Sequence, residues 1–152
     1  MMSYHRILVA LDFSDAGMRA LHKACELAAQ FKASLHVIHV VEFLPPLDTT
    51  FGGVSPFDVE LMDKLVASAR ERLFAVAMER GLPEACCQVE TGSPRSEILR
   101  LAEQIKADLI VLGSHGRQGL AVLLGSTASS VLHHAGCDVL AVRAESQQGP
   151  AL

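Results

Sequence analysis

Short β-type runs alternate with amphipathic helical stretches along this chain, and no other feature limits its possible folds so strongly. His5–Ala10 (HRILVA) and Ser34–Val41 (SLHVIHVV) are rich in β-branched and aliphatic residues. Cys86–Glu90, Asp108–Leu112 and Asp138–Val142 (DVLAV) supply three more short runs, the first of them the weakest. Between the runs the apolar period changes from two to about 3.6. Asp12-Phe13-Ser14-Asp15 is a helix-start signal, and Met18, Leu21, Cys25, Ala28 and Phe31 then share one helical face. Leu61, Leu65, Ala69, Leu73 and Val76 predict a long helix to about Arg80, ended by Gly81 and Pro83. Ser93-Pro94 reads as an N-cap with proline at the first helical position, ahead of the stripe Ile98, Leu101, Ala102 and Ile105. A last helix is expected from about Ser126 to Ala135, stopped by Gly136.

Strands alternating with helices imply a parallel sheet joined by right-handed crossovers. Five strands make an α/β fold, doubly wound and Rossmann-like, with helices on both faces. At 152 residues the chain suits one domain, read here as residues 1–144, with a polar, flexible tail over 145–152. Glu42–Pro56, with Pro45-Pro46 and Gly52-Gly53, is too long for a tight turn and is expected to be a functional or mobile flap.

Several function classes fall away on composition. A net charge of -4 with scattered Lys and Arg leaves no footprint for nucleic acid. The longest apolar runs, Ile7–Leu11 and Leu109–Leu112, fall far short of the ~20 residues a membrane span needs. Ile7–Leu11 also runs directly into Asp12, which does not suit a secretion signal. Cys25, Cys86, Cys87 and Cys137 have no CxxC spacing and read as buried free thiols in a reducing cytoplasm. A strand through Cys86-Cys87 would put those two thiols on opposite sides. His36 and His39 should likewise face opposite ways, and His133-His134 should diverge by roughly 100° on a helix. No dedicated metal site is expected from them.

The chemistry concentrates after the fourth run, in LIVLGSHGRQGLAVLLGSTASSVL (residues 109–132). Gly113, Gly116 and Gly119 admit positive φ and close ligand approach. Successive N–H groups in such a turn form an anion nest. Gly125-Ser126-Thr127 adds a helix start, with free N–H groups, two hydroxyls and the positive end of the helix dipole. One reading is a polyphosphate cradle; the other is a tight βα turn with Ser126 as an ordinary cap. In a doubly wound sheet ligands bind beyond the carboxyl strand ends where strand order reverses, so the loop after the first strand should neighbour this one. That would bring Asp12 beside the glycine loop and the Val40 backbone. There is neither a GxxxxGK[ST] P-loop nor a GxGxxG after the first strand. Ser114-His115 lacks the G-x-S-x-G setting of a nucleophile elbow and reads as turn-forming. Arg117 could reach a phosphate or stand as a solvated loop charge.

ILVALDFSDAG near the start, GSHGRQGLAVLLGST and the ending HHAGCDVLAVR together resemble the universal stress protein family over residues 4–143. The resemblance implies a five-stranded adenine nucleotide alpha hydrolase-like fold, a homodimer, and a role in stress response and survival, with nucleotide-binding and non-binding branches. The binding pattern is G-x2-G-x9-G-[ST]. Gly113, Gly116, Gly125 and Ser126 match it, but eight residues, Arg117 to Leu124, stand where nine belong. One residue fewer shortens the span by up to ~3.5 Å of chain. Carried over, Asp12 holds the ribose of ATP or ADP, while Ala10 and Val40 flank adenine and Leu112-Gly113 lie near the sugar. Gly116, Gly125, Ser126 and Thr127 then face the phosphates, with Arg117 at hand and Mg²⁺ carried by the phosphates. The dimer edge is expected at Asp138–Val142. The alternatives are a nucleotide-free interaction module or a slow ATPase, although no general base or nucleophile stands out beside the phosphate positions.

Overall fold

The computed structural model describes residues 3–42, 56–114 and 124–144. Five strands, β1 (Arg6–Ala10), β2 (Ser34–Val41), β3 (Cys87–Thr91), β4 (Leu109–Gly113) and β5 (Asp138–Val142), form one parallel sheet. Its order is β3-β2-β1-β4-β5, so the winding reverses between β1 and β4. Around it lie helices α1 (Asp15–Phe31), α2 (Pro56–Glu79), α3 (Pro94–Ile105) and α4 (Ser126–His134). The expected doubly wound α/β architecture is present.

Alternation along the strands sorts the core into two layers. Ile7, Val9, Val37, Leu109 and Val111 point to the face covered by α1 and α2, where Leu21, Ala24, Leu73 and Ala77 meet them. Leu8, Ile38, Ile110 and Leu112 point to the other face and pack with Ile98, Leu101 and Val131 of α3 and α4. β1 and β4 are buried on both sides, which accounts for their unbroken apolar runs.

Three local expectations are corrected. The third strand begins at Cys87, because Glu84–Cys86 forms a short 3-10 turn (η1). The two adjacent thiols therefore do not straddle a strand; their sulfurs lie 3.9 Å apart. Of the apolar series along α2 only Leu73 is buried, and Leu61 and Leu65 are 57% and 47% exposed. A helix of 24 residues runs ~36 Å, about twice the length of a five-residue strand, so the short edge strand cannot cover it. Finally, α4 does not end in a glycine turn. Ala135 already adopts extended backbone, and Gly136 has no left-handed conformation. The expectations for the flap over 43–55 and the tail over 145–152 lie outside the described residues.

At the amino end of the sheet, Asp108 ties β4 to β1 by accepting from the backbone N–H groups of His5 and Arg6 at 2.7 and 3.0 Å. Burial pushes its pKa up, but those N–H donors and the nearby His5 imidazole outweigh it and hold the carboxyl below its ordinary value. A carboxyl with a depressed folded pKa stabilises above the unfolded pKa and loses that contribution as pH falls through the folded one. Asp108→Asn should therefore flatten the acid limb of stability. Urea midpoints for both chains should converge as pH falls below the carboxylate range.

Candidate functional site

The reversal of strand order leaves a cleft at the carboxyl ends of β1, β2 and β4, with a volume of about 850 Å³. Ala10, Asp12, Val40, Leu112, Gly113, Gly125, Ser126 and Thr127 all line it. Gly116 and Arg117 lie outside the described residues, as does His115.

The loop after β1 fixes the carboxylate. Asp12 Oδ1 accepts from the Ser14 N–H at 3.0 Å and the Ser14 hydroxyl at 2.5 Å. Ser14 Oγ in turn accepts from the Gly17 N–H at 3.0 Å and caps α1. One oxygen of Asp12 is thus committed to holding the loop, and no hydrogen bond among the described residues engages Oδ2. A Cβ on Gly17 would overlap Asp12 Oδ1, so only glycine permits this carboxylate so close to the helix start.

Gly113 lines the cleft but does not use the positive φ expected of it. Instead, a Cβ there would stand 2.9 Å from Ala16 C, Ala16 Cβ and Gly17 N. Its bare Cα lets the end of β4 press against the first turn of α1, which brings the two cleft loops together. Ser114 then pins two further elements, its N–H donating to Val142 O at 2.8 Å and its carbonyl accepting from Gly125 N at 2.6 Å. The Ser114 hydroxyl is buried and has no partner among the described residues. This backbone bracing agrees with a turn-forming role.

The start of α4 carries the polar chemistry of the opposite wall. Ser14 and Ser93 cap α1 and α3 with side-chain oxygens, whereas Gly125 gives α4 none. The first intrahelical donor is Ser129 N, to Gly125 O at 2.8 Å. The N–H groups of Ser126, Thr127 and Ala128 therefore have no helical acceptor, and all three residues line the cleft.

Sequence reasoning missed a second group on the cleft wall. Phe13 sits at φ 65, a costly conformation for an aromatic residue, with its ring centroid 4.6 Å from that of His39. The Arg72 guanidinium lies 4.3 Å above the Phe13 ring. His39 lines this cleft and donates from Nδ1 to Leu11 O at 2.6 Å, which fixes its tautomer. His36 opens instead onto a different cavity. A reading of strand ends could have found His39, which adjoins Val40; nothing local points to Arg72 on a distant helix. On α4, His134 donates from Nδ1 to Ser130 O at 2.8 Å and has the Arg95 side chain 3.2 Å from its Nε2. No group of three metal-ligating side chains occurs among the described residues.

With this geometry in view, the family model described as the universal stress protein family matches residues 3–143. The chain belongs to the universal stress protein family. Among its relatives is universal stress protein A homolog 2 of Coxiella burnetii, 42% identical over 94% of this chain and 97% of that protein. Homolog 1 of the same organism is 38% identical over 93% and 97%. The universal stress protein UspA of Lactobacillus plantarum has a solved structure similar to this one, with a TM-score of 0.71, 33% identity, and coverage of 94% of this chain and 100% of that chain. Another universal stress protein, solved in complex with cAMP, gives a TM-score of 0.59 at 25% identity over 94% of this chain and 99% of that one. No described helix is long and apolar enough to cross a membrane.

Proposed function

We propose that this universal stress protein binds ATP or ADP in the cleft between β1 and β4 and acts as a nucleotide-responsive module in stress survival. The observation that carries this reading is the convergence of one committed carboxylate and one uncapped helix start on the same cleft. The walls suit the parts of an adenine nucleotide in turn. Ala10, Val40 and Leu112 offer apolar surface for a base, Asp12 Oδ2 an acceptor for ribose hydroxyls, and Ser126, Thr127 and Ala128 offer phosphate oxygens N–H groups that have no helical acceptor. Gly116 and Arg117 join the phosphate end in this reading, and Mg²⁺ arrives with the phosphates. The cAMP complex of a structural neighbour supports a nucleotide as the ligand class.

The same proposal takes residues 1–144 as a single cytoplasmic domain that dimerises through β5. β5 is the last strand of the sheet, and a short apolar edge of this kind invites strand pairing. Leu140 and Val142 pack toward one core layer and Val139 toward the other, so the strand's free edge faces outward with its side chains already placed.

Asp12→Asn tests the ribose contact. The amide oxygen keeps both bonds from Ser14, while the amide nitrogen replaces an acceptor with a donor at the other position. A hydrogen bond to a charged group contributes about 1.5–3 kcal/mol, so ATP affinity by calorimetric titration should fall about 10- to 100-fold. An unchanged affinity with an unchanged melting temperature would remove Asp12 from the site.

A further inference from the structure

A second cavity, of about 590 Å³, opens at the amino ends of β2 and β3, on the α1 and α2 face and away from the cleft. Cys86 and Cys25 line it among apolar neighbours that include Ala28, Leu35 and Leu82. Cys87, the next residue, is 8% exposed in the core beneath. The turn Glu84–Cys86 swings the Cys86 sulfur to 3.9 Å from that of Cys87. Cys87 Sγ also lies 3.8 Å from the Pro83 carbonyl, toward which it can donate.

We propose that the Cys86–Cys87 pair is a capture site for neutral, thiophilic trivalent arsenicals, R–As(OH)₂, whose arsenic bridges the two sulfurs. Three lines of chemistry select this ligand class. A direct disulfide would require the sulfurs to close from 3.9 Å to about 2.05 Å across residues whose Cα atoms are ~3.8 Å apart, below the usual ~4.4–6.8 Å. A single interposed atom leaves the sulfurs nearly where they stand. A cation would need thiolates, yet burial, the Cys86 thiol and the Glu84 carboxylate push Cys87 up to about 12. That site remains a neutral thiol at physiological pH. A neutral arsenical matches it, because each S–H proton leaves with one arsenic-bound hydroxyl as water. Two As–O bonds and two S–H bonds break, two As–S bonds form and two waters depart, with no oxidation and no buried charge.

The order of events follows from exposure. Cys86, open to the cavity, forms the first As–S bond. Cys87 then closes the ring from within the protein, with the organic group left among Ala28, Leu35 and Leu82. Ring closure makes the second bond intramolecular, which strengthens retention on the order of 100-fold or more over one thiol alone.

The test treats the purified full chain with phenylarsine oxide and follows intact mass. One adduct should survive excess 2-mercaptoethanol and disappear with 2,3-dimercaptopropanol. Cys86→Ser and Cys87→Ser should each lose the monothiol-resistant adduct, while Cys25→Ser should keep it. Peptide mapping of the unsubstituted chain should place the arsenic on the peptide that holds both adjacent cysteines, which guards against a variant that fails to fold. Release of the adduct from the natural sequence by 2-mercaptoethanol would overturn the proposal. So would its retention in Cys87→Ser, its loss in Cys25→Ser, or its mapping to Cys25 or Cys137.

Discussion

Ser126→Glu is expected to abolish ATP binding while leaving the fold intact or slightly steadier. Ser126 is exposed at the first position of α4, where a carboxylate is favoured by the helix dipole by about 0.3–1 kcal/mol. The same carboxylate would compete for the N–H groups of the first turn, which have no helical acceptor, and stand against any phosphate brought there. Like charges placed together cost several kcal/mol, so affinity should fall by on the order of 100-fold or more. Opposite signs for stability and binding make this variant more informative than a bulky residue, which would lower both. A Ser126→Glu chain that is stable and still binds ATP as tightly as the natural one would place the phosphates elsewhere.

Ile110→Ala should produce the largest loss of stability. Ile110 has no exposed surface and lies at the centre of β4, registered against Leu8 on one side and Val139 on the other. It packs in the layer under α3 and α4, where two helices and three strands leave little freedom to collapse around a void. Truncations of this kind cost about 2–5 kcal/mol, a large part of the stability of a domain this size. Urea unfolding should show a lower midpoint with an unchanged slope. A loss near zero would mean that the layer repacks and that β4 is less rigid than its burial implies.

The strands and the site they frame were legible where local pattern and topology agree. β2 and β5 have the bounds that β-branched runs predict, and the other strands differ by a residue or so. Asp12 and the Gly125 helix start could be placed together because parallel α/β winding requires a reversal of strand order somewhere. The described parts of the loops after β1 and β4 meet at that reversal. What escaped the sequence depends on packing between distant segments. Gly113 matters through the bare Cα that admits the first turn of α1, a reason no turn pattern records. Arg72 reaches the cleft wall only because α2 crosses over Phe13. Leu61 and Leu65 carry a helical period but outrun the strand they would cover. Cys86 was misread because one short turn of 3-10 helix rotates a side chain that a strand would have sent the other way.

That the cleft holds an adenine nucleotide is decided by native mass spectrometry of the freshly purified protein, with and without added ATP and Mg²⁺. The predicted spectrum is a dimer carrying ATP- or ADP-sized mass that is absent from the Ser126→Glu chain. A folded protein that stays bare at millimolar ATP would contradict the claim, and would mean that the loop between Gly116 and Gly125, one residue short, no longer forms a phosphate cradle.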